Sequence, residues 1–543
     1  MKTAPARECL IYGLLLFSFF LISVYITGPA GNFPIGDDWQ YAYPVKTWLE
    51  NGAMEFKGIF APNTLLQVVW GFLFCKVAGS FDFTWLRFST LALGILGVVY
   101  FYKTIKLSGA QKRAAIFSAF ALLFNPLYYH LSFTFFTDIP FFALWVFSVY
   151  FFVKYIIDKK SKHLVLAVFW AAASYYIRQP GILLIPVFGI YLFFEKRFSR
   201  AGTFSGLILF IAAAAIYFSL EKWVKPALGI SGNYVPVGGR FYDALVGQPF
   251  HTALEWAKKG IKTTIYLGFF AVPFLPFFIS QLIGGKLVDK KTIGLAMFFN
   301  VPLFLLLVYI GKTFPFGGNI LFNFGLGPEL LADVYTRGLP NTPRLPGWAM
   351  LAVQFISQLS ATFIFYYFYK KFNTLRESQK KTIYFLVLFN LVYLPVMSIT
   401  SFFDRYLLPV IASFFIVLSI FIKLKKYSRQ AWKFLPLVLL SVFSILATAD
   451  FMNWNRAKNE AFLFLRKKGV SIKEMDAGYE YNGFYNYHFP RKEQEDRSFW
   501  WVTDDRYMIA FGPVEGYRQI ARFPFFRSLY WRQDNIRVLE RTD

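Results

Sequence analysis

The stretch TFSGLILFIAAAAIYFSLE, residues 203–221, decides the fold class of this protein. It has no charged residue before Glu221, and about 20 apolar residues are what a helix needs to cross the hydrocarbon core of a bilayer. Similar stretches recur along the chain, whose 543 residues are 56% hydrophobic and 21% aromatic. This composition predicts an α-helical polytopic membrane protein.

Hydropathy predicts about 13 membrane-spanning helices, near residues 10–27, 84–105, 114–130, 139–157, 161–178, 181–195, 203–221, 262–283, 292–311, 348–369, 382–398, 405–423 and 432–449. The apolar stretch Leu65 to Gly79 is short, and counting it as a span would invert every later loop. It therefore predicts an interfacial or re-entrant helix. The first span follows a short basic segment, but no convincing cleavage site follows it, so we expect it to be retained.

The positive charge of the chain predicts its topology. The net charge is +26, and most of it lies at the N-terminus and in six short loops, which the positive-inside rule places in the cytoplasm. We therefore expect a multi-pass protein of the plasma (inner) membrane, with a cytoplasmic N-terminus and no nucleic-acid partner. The expected external loops are 28–83, 131–138, 222–261 and 312–347.

The chain divides into two predicted units. Residues 1–449 contain all the predicted spans. In residues 450–543 the aliphatic runs stop, charges of both signs mix, and aromatic residues alternate with turn residues. We expect this second unit to be a small α/β domain outside the cytoplasm, in the periplasm or extracellular space.

Two acidic spots occur at the predicted external ends of helices, namely Gly36-Asp37-Asp38-Trp39 and Thr137-Asp138-Ile139-Pro140. Carboxylates at a bilayer boundary are costly to keep, so they indicate a reaction centre. The alternative is that these acids are helix N-caps, a common role before an amphipathic helix or a proline. Adjacent helical residues point about 100° apart, so only one of Asp37 and Asp38 would face a given pocket.

Two arginines are also predicted at external helix ends. Arg178 lies at the end of a helix, where a cation suits the helix dipole but opposes the positive-inside rule. Arg405 begins a helix, where the dipole disfavours a cation, and its alternative role is a local pair with Asp404.

The sequence has few other chemical motifs. His130 and His163 have no second ligand at metal spacing, so no zinc site is indicated. Two acids that include Asp138 would suit a divalent ion, and metal dependence stays open. We find no Walker loop, dinucleotide fingerprint or nucleophile elbow, so an activated substrate would have to supply the energy.

Three motifs carry a resemblance to a known family. Asp37, Asp38 and Tyr41 form Asp-Asp-x-x-Tyr, residues 135–138 form Phe-x-Thr-Asp, and residues 405–409 read Arg-Tyr-Leu-Leu-Pro. With the topology, this set resembles the GT-C superfamily of polyprenyl-phosphate-sugar glycosyltransferases. It is most similar to bacterial relatives of the protein O-mannosyltransferases and of the aminoarabinose transferases of lipid A.

The resemblance implies transfer of a sugar from a polyprenyl-phosphate-linked donor to an acceptor hydroxyl outside the membrane, with inversion at the anomeric carbon. Asp37 takes the place of the general base, Asp38 replaces the customary Glu, and Asp138 would orient the acceptor or a metal. The candidate donor-phosphate residues are Arg178, Arg405 and Tyr406, and the candidate substrate contacts are Trp39, Tyr41 and His130. No cofactor is certain. The expected partners are the donor, an unidentified glycan, lipid or protein acceptor, and membrane lipids.

A transporter or flippase of a lipid-linked sugar is the main alternative. Transporters place ionisable residues near the bilayer midplane on broken helices, often in repeated halves. Here the acids lie at the predicted outer edge and no repeat is visible. A non-catalytic scaffold, the third alternative, would need none of these acids.

Overall fold

The computed structural model describes residues 18–56, 63–195, 199–230, 237–323, 325–339, 344–399, 402–424, 431–487 and 501–542. Residues 10–17 of the first predicted span lie outside this set. The helices are α1 Ser18–Thr27, α2 Asp38–Asn51, α3 Leu65–Ala78, α4 Phe83–Leu107, α5 Lys112–Leu123, α6 Pro126–Ser132, α7 Asp138–Asp158, α8 Ser161–Tyr175, α9 Leu184–Glu195, α10 Arg200–Ser219, α11 Lys225–Ala227, α12 Val237–Gly247, α13 Pro249–Phe270, α14 Leu275–Gly284, α15 Lys290–Tyr309, α16 Ala332–Tyr335, α17 Gly347–Lys371, α18 Glu377–Ser398, α19 Leu408–Phe421, α20 Leu435–Lys467 and α21 Tyr479–Asn486. The strands are β1 Leu321–Phe322, β2 Gly325–Leu326, β3 Met475–Asp476, β4 Tyr507–Ala510, β5 Tyr517–Arg527 and β6 Arg532–Arg541.

Every predicted span corresponds to a helix. Within the described ranges, 8 helices are long and apolar enough to cross a membrane, or up to 10 if each of two bent pairs is one span. The bent pairs are α5 with α6, at 61°, and α13 with the segment Val272–Gly284, at 48°. A proline begins α6 and another follows α13, which explains both bends. The three remaining predicted spans fall on the shorter α1, α8 and α9, so the class of α-helical polytopic membrane protein is confirmed.

Several basic loops meet at one end of the helix bundle, which we call the basic end. The Glu195 carboxylate accepts hydrogen bonds from Lys159 at 2.8 Å and from Lys381 at 2.9 Å. The Arg376 guanidinium donates to the Gly109 carbonyl oxygen at 3.1 Å. These contacts join four of the loops that the charge pattern predicts on one side of the membrane.

The opposite end of the bundle carries a sheet with strand order β3-β4-β6-β5. Strands β3 and β4 are parallel, and the other neighbours are antiparallel. Apolar side chains of the sheet, such as Ile509 and Val538, pack in one cluster with Phe451 and Trp454 of α20 and with Phe33 of the first loop. The small α/β unit predicted at the C-terminus is therefore present, and its core is shared with the bundle.

Helix α20 crosses the predicted domain boundary without a break. It runs over 33 residues, and its C-terminal half continues beyond residue 449 as the helix against which the sheet packs. A helix does not have to end where its apolar stretch ends, because its backbone hydrogen bonds form both in lipid and in water.

Helix α3 corresponds to the stretch Leu65 to Gly79, which the sequence predicts to be an interfacial or re-entrant helix. At 14 residues it is too short to cross a bilayer in one pass. Its Gln67 amide donates to the Phe135 carbonyl oxygen at 2.6 Å, and its Gly71 lies so close to the Phe135 ring that a Cβ there would stand 2.6 Å from Cζ. Helix α3 is thus fixed beside the segment that leads into α7.

Candidate active site

Asp37 lies at the turn that begins α2. Gly36, just before it, has φ +50°, and a Cβ at Gly36 would stand 2.6 Å from Cζ of Phe136, so only glycine fits this turn. Asp37 occupies the N-cap position, but its side chain makes no capping hydrogen bond. Its carboxylate instead accepts from Nη2 of Arg405 at 2.9 Å.

Asp138 is the first residue of α7 and joins two guanidinium groups. Its Oδ1 accepts from Nη1 of Arg178 at 3.0 Å, and the same nitrogen donates to Oγ1 of Thr137 at 2.9 Å. Nη1 of Arg405 lies 3.8 Å from the other oxygen of Asp138. The side chain of Asp138 is therefore used for ion pairing rather than for capping its helix.

Asp404 does not serve as the ion-pair partner that the sequence offers for Arg405. Its two carboxylate oxygens accept from the backbone N–H groups of Ile320 and Leu321, at 3.1 and 2.7 Å, and from that of Arg405 at 2.8 Å. These bonds fix the external loop before β1 to the start of α19. The Arg405 guanidinium is left to reach Asp37.

The Tyr406 ring lies beside both arginines. The guanidinium carbon of Arg178 is 4.7 Å from the ring centroid, and that of Arg405 is 5.7 Å from it. Cations over an aromatic face are attracted by the ring quadrupole. Tyr406 therefore helps to hold both guanidinium groups in place.

Two carboxylates and two guanidiniums form the cluster, so its formal charges cancel. The side chains of Asp138 and Arg405 are 4% and 9% exposed, whereas that of Asp37 is 29% exposed. Buried charges persist only when they are paired. Asp37 is the acid of this cluster that a second molecule reaches most easily.

Tyr41 lies one helical turn after Asp37 and is buried. Burial, together with the nearby Asp37 carboxylate, raises the pKa of the Tyr41 phenol. The hydroxyl therefore keeps its proton at neutral pH and is available as a hydrogen-bond donor beside the cluster.

The family comparison covers two of the four charged residues of the cluster. Residues 70–220 match the model of the family described as dolichyl-phosphate-mannose-protein mannosyltransferase. This match agrees with the resemblance to the GT-C superfamily over that segment. The matched segment includes Asp138 and Arg178, and it supports a membrane glycosyltransferase.

Two solved structures are similar to the whole chain. The crystal structure of ArnT from Cupriavidus metallidurans bound to undecaprenyl phosphate has a TM-score of 0.46 and 11% identity, and the alignment covers 99% of this chain and 98% of that chain. The structure of the same protein in the apo state has a TM-score of 0.37 and 12% identity, with 98% of each chain covered. No curated protein matches the chain.

Asp38 and Trp39 point away from the cluster, toward the C-terminal unit. Oδ1 of Asp38 accepts from the Ile35 N–H at 2.7 Å, and burial raises the pKa of this carboxyl. The Trp39 ring packs against those of Tyr479, 6.1 Å away, and Trp501, 5.4 Å away. Trp39 is buried, so its ring offers no free face to a sugar.

His130 lies in α6 and is held by packing contacts. Its Nε2 lies 3.1 Å from the Gly327 carbonyl oxygen, and its ring meets that of Phe451 edge-on with centroids 4.6 Å apart. These contacts join α6 to the loop after β2 and to α20. These contacts are separate from the ion pairs that Asp37 and Asp138 make with Arg405 and Arg178.

The described residues do not fit a metal centre. Across these ranges, no group of three or more His, Cys, Asp or Glu side chains is placed to share an ion. Asp37 and Asp138 are already bonded to arginines. We therefore derive no chemical step through a metal.

A cavity of about 510 Å³ lies elsewhere, between α13, α15 and α17. Its lining includes Asn300, Gln358 and Thr362 but none of the charged cluster. Two other segments lie beside the charged cluster, since α3 contacts Phe135 and the loop before β1 is bonded to Asp404.

The sequence reading missed three buried charges beside the site, namely Arg87, Lys458 and Glu480. Arg87 could have been found from the sequence, because an ionisable residue inside an apolar span indicates a functional site. Lys458 and Glu480 lie in stretches of mixed charge, and nothing in their local pattern distinguishes them from solvent-exposed residues.

Proposed function

We propose that this protein is an integral membrane glycosyltransferase that moves a sugar from a polyprenyl-phosphate-linked donor to an acceptor hydroxyl outside the membrane. The observation that carries the proposal is the convergence of Asp37, Asp138, Arg178 and Arg405 from four separate segments into one paired cluster. The family match over residues 70–220 supports it.

The positive-inside rule supports the orientation. If the basic end, with Lys159, Glu195 and Lys381, faces the cytoplasm, the cluster and the C-terminal unit lie on the outer side. We propose this arrangement for the inner (plasma) membrane. Residues 1–449 then contain the reaction centre, and residues 450–543 contribute an extracytoplasmic unit, whose helix begins within the membrane.

Asp37 acts as the general base. Its ion pair with Arg405 orients the carboxylate, and its partial exposure lets an acceptor hydroxyl approach. The carboxylate takes the hydroxyl proton while the oxygen attacks the anomeric carbon, and the bond from that carbon to the phosphate oxygen breaks. A single displacement of this kind inverts the anomeric centre. General-base catalysis of this type contributes roughly 10²- to 10⁴-fold to a rate.

Arg405 and Arg178 bind the donor phosphate and stabilise the negative charge that it gains as the leaving group. Guanidinium groups bind phosphate oxygens with two parallel hydrogen bonds. At 3.8 Å, the approach of Arg405 to Asp138 is too long for a hydrogen bond, so a phosphate oxygen would replace it at little cost.

Mass spectrometry of glycans and lipids tests the proposal. Membranes from a strain that lacks this protein are compared after complementation with wild type or with Asp37→Asn. We expect one sugar addition to disappear in the deletion strain and to return with wild type only, which identifies both the sugar and the acceptor. Restoration by the variant would contradict the role of Asp37. Redistribution of a prenyl-linked sugar across the membrane, with no lost addition, would favour the flippase alternative.

A further inference from the structure

A buried ion pair joins α20 to α21 directly behind the candidate site. Nζ of Lys458 donates to Oε1 of Glu480 at 2.9 Å, and both side chains are 0% exposed. Burying two charges this completely is costly, and an apolar pair of similar volume would often be at least as stable. Stability alone therefore gives no reason for this pair.

The same carboxylate oxygen also contacts the turn that carries Asp37. Oε1 of Glu480 accepts from the Gly36 N–H at 3.2 Å. The neighbouring Tyr479 accepts through its hydroxyl from Nε2 of Gln40 at 2.6 Å. Consecutive residues of α21 thus bind the chain just before and just after Asp37.

Close packing fixes the distance between the two segments. A Cβ at Gly483 would stand 2.3 Å from Cζ2 of Trp39, so the side chain that follows Asp38 is pressed directly onto the backbone of α21. A larger residue at position 483 would separate α21 from the turn.

Arg87 holds the chain that enters this turn. Its guanidinium donates to the carbonyl oxygens of Pro29 and Gly31, at 3.1 and 2.8 Å, and also to that of Phe33. It lies over the Phe33 ring at 4.4 Å. The approach to Asp37 is therefore fixed from α4, and the turn itself from the C-terminal unit.

We propose that Glu480 is a positioning residue for Asp37, and that Lys458 compensates the buried charge of the Glu480 carboxylate. The inference rests on the proposed function, because it gives the C-terminal unit a part in the same reaction. A general base must stay within hydrogen-bond reach of the proton it removes. Freeing the Gly36 N–H would let the turn shift, and a displacement of about 1 Å at a reacting group costs on the order of 100-fold in rate.

A matched pair of double variants separates positioning from stability. Lys458→Met/Glu480→Gln and Lys458→Met/Glu480→Leu both remove the buried charges, but only the first keeps an oxygen that accepts from the Gly36 N–H. We expect kcat to stay within about threefold of wild type in the glutamine variant and to fall about 10- to 100-fold in the leucine variant. The KM for the donor should be unchanged in both, because neither residue contacts the arginines.

Hydrogen exchange measured by mass spectrometry in lipid nanodiscs gives a readout that does not depend on activity. The peptide covering residues 33–41 should exchange faster in the leucine variant only. Equal kcat values or equal exchange in the two variants would overturn the inference, as would a rise in donor KM matched by loss of thermal stability. Faster exchange in the leucine variant, in a protein whose wild type transfers no sugar, would support the positioning of the turn and reject the proposed function.

Discussion

Replacing Asp37 with asparagine removes the proposed base while changing almost nothing in shape. The amide cannot take a proton from the acceptor hydroxyl. Losing general-base catalysis of about 10²- to 10⁴-fold corresponds to a barrier higher by about 3 to 5 kcal/mol. We expect the transfer rate of purified Asp37→Asn to fall by that factor.

The stability cost of this substitution should be far smaller. The Asp37 side chain is 29% exposed, and the amide oxygen of asparagine still accepts from Nη2 of Arg405. Arg405 also keeps its approach to Asp138. Replacing one charge-assisted hydrogen bond by a neutral one should therefore cost only about 1 to 2 kcal/mol.

Transfer should be measured with purified protein in nanodiscs, using a polyprenyl-phosphate-linked sugar and the acceptor identified by mass spectrometry, alongside thermal unfolding. Asp38→Asn is the matched control, because Asp38 is the adjacent acid, is buried, and keeps an oxygen for the Ile35 N–H. We expect the control to lose less than about tenfold in rate. The reasoning fails if Asp37→Asn keeps more than about a tenth of the wild-type rate, or if both variants lose activity equally.

Three further predictions concern neighbouring residues. Arg405→Ala should raise the donor KM at least about tenfold and Arg405→Lys should raise it less, since lysine keeps the charge but loses the planar fork; unchanged donor saturation would exclude the phosphate role. Gly52→Ala places alanine at φ +75° in open space and should lower the free energy of unfolding by about 1 to 2 kcal/mol. Gly36→Ala should lower it by about 1 to 3 kcal/mol more, because its Cβ would meet Phe136. Equal unfolding temperatures of the two variants would contradict this. Burial raises the pKa of the Asp38 carboxyl above 3.8. The contribution of the protonated carboxyl to stability is therefore fully present below that pH and is lost as the pH rises through the folded-state pKa. The unfolding temperature of Asp38→Asn should rise relative to that of wild type between pH 4 and 7, and a constant difference between the two proteins would reject this.

The helices could be predicted from the sequence because each span is a local apolar pattern. The continuation of α20 past residue 449 could not, since hydropathy reports where the apolar solvent ends and not where helical hydrogen bonding ends. The same limit applies to the C-terminal unit, whose core includes Phe33 from the opposite end of the chain. Local pattern identified the elements, but the contacts that unite them are non-local.

The candidate site shows the same division. The sequence predicts three charges of the site at the membrane edge, namely Asp37, Asp138 and Arg405. Their mutual distances, however, depend on the packing of three different helices. Trp39 was expected to touch a sugar because it follows the acids. The structure turns its ring toward Tyr479, and no pattern within the first loop encodes that choice.

The hydrogen bond from Gly36 to Glu480 spans 444 positions of the chain, and the ion pair between Asp37 and Arg405 spans 368. During synthesis, the first loop is therefore complete long before the residues that hold it exist. Asp37 gains its cationic partner only after the start of α19 has been made, and its turn gains the support of Glu480 only after α21 has been made. The site therefore assembles late in synthesis, and a chain that stalls before α19 carries Asp37 without its cationic partner.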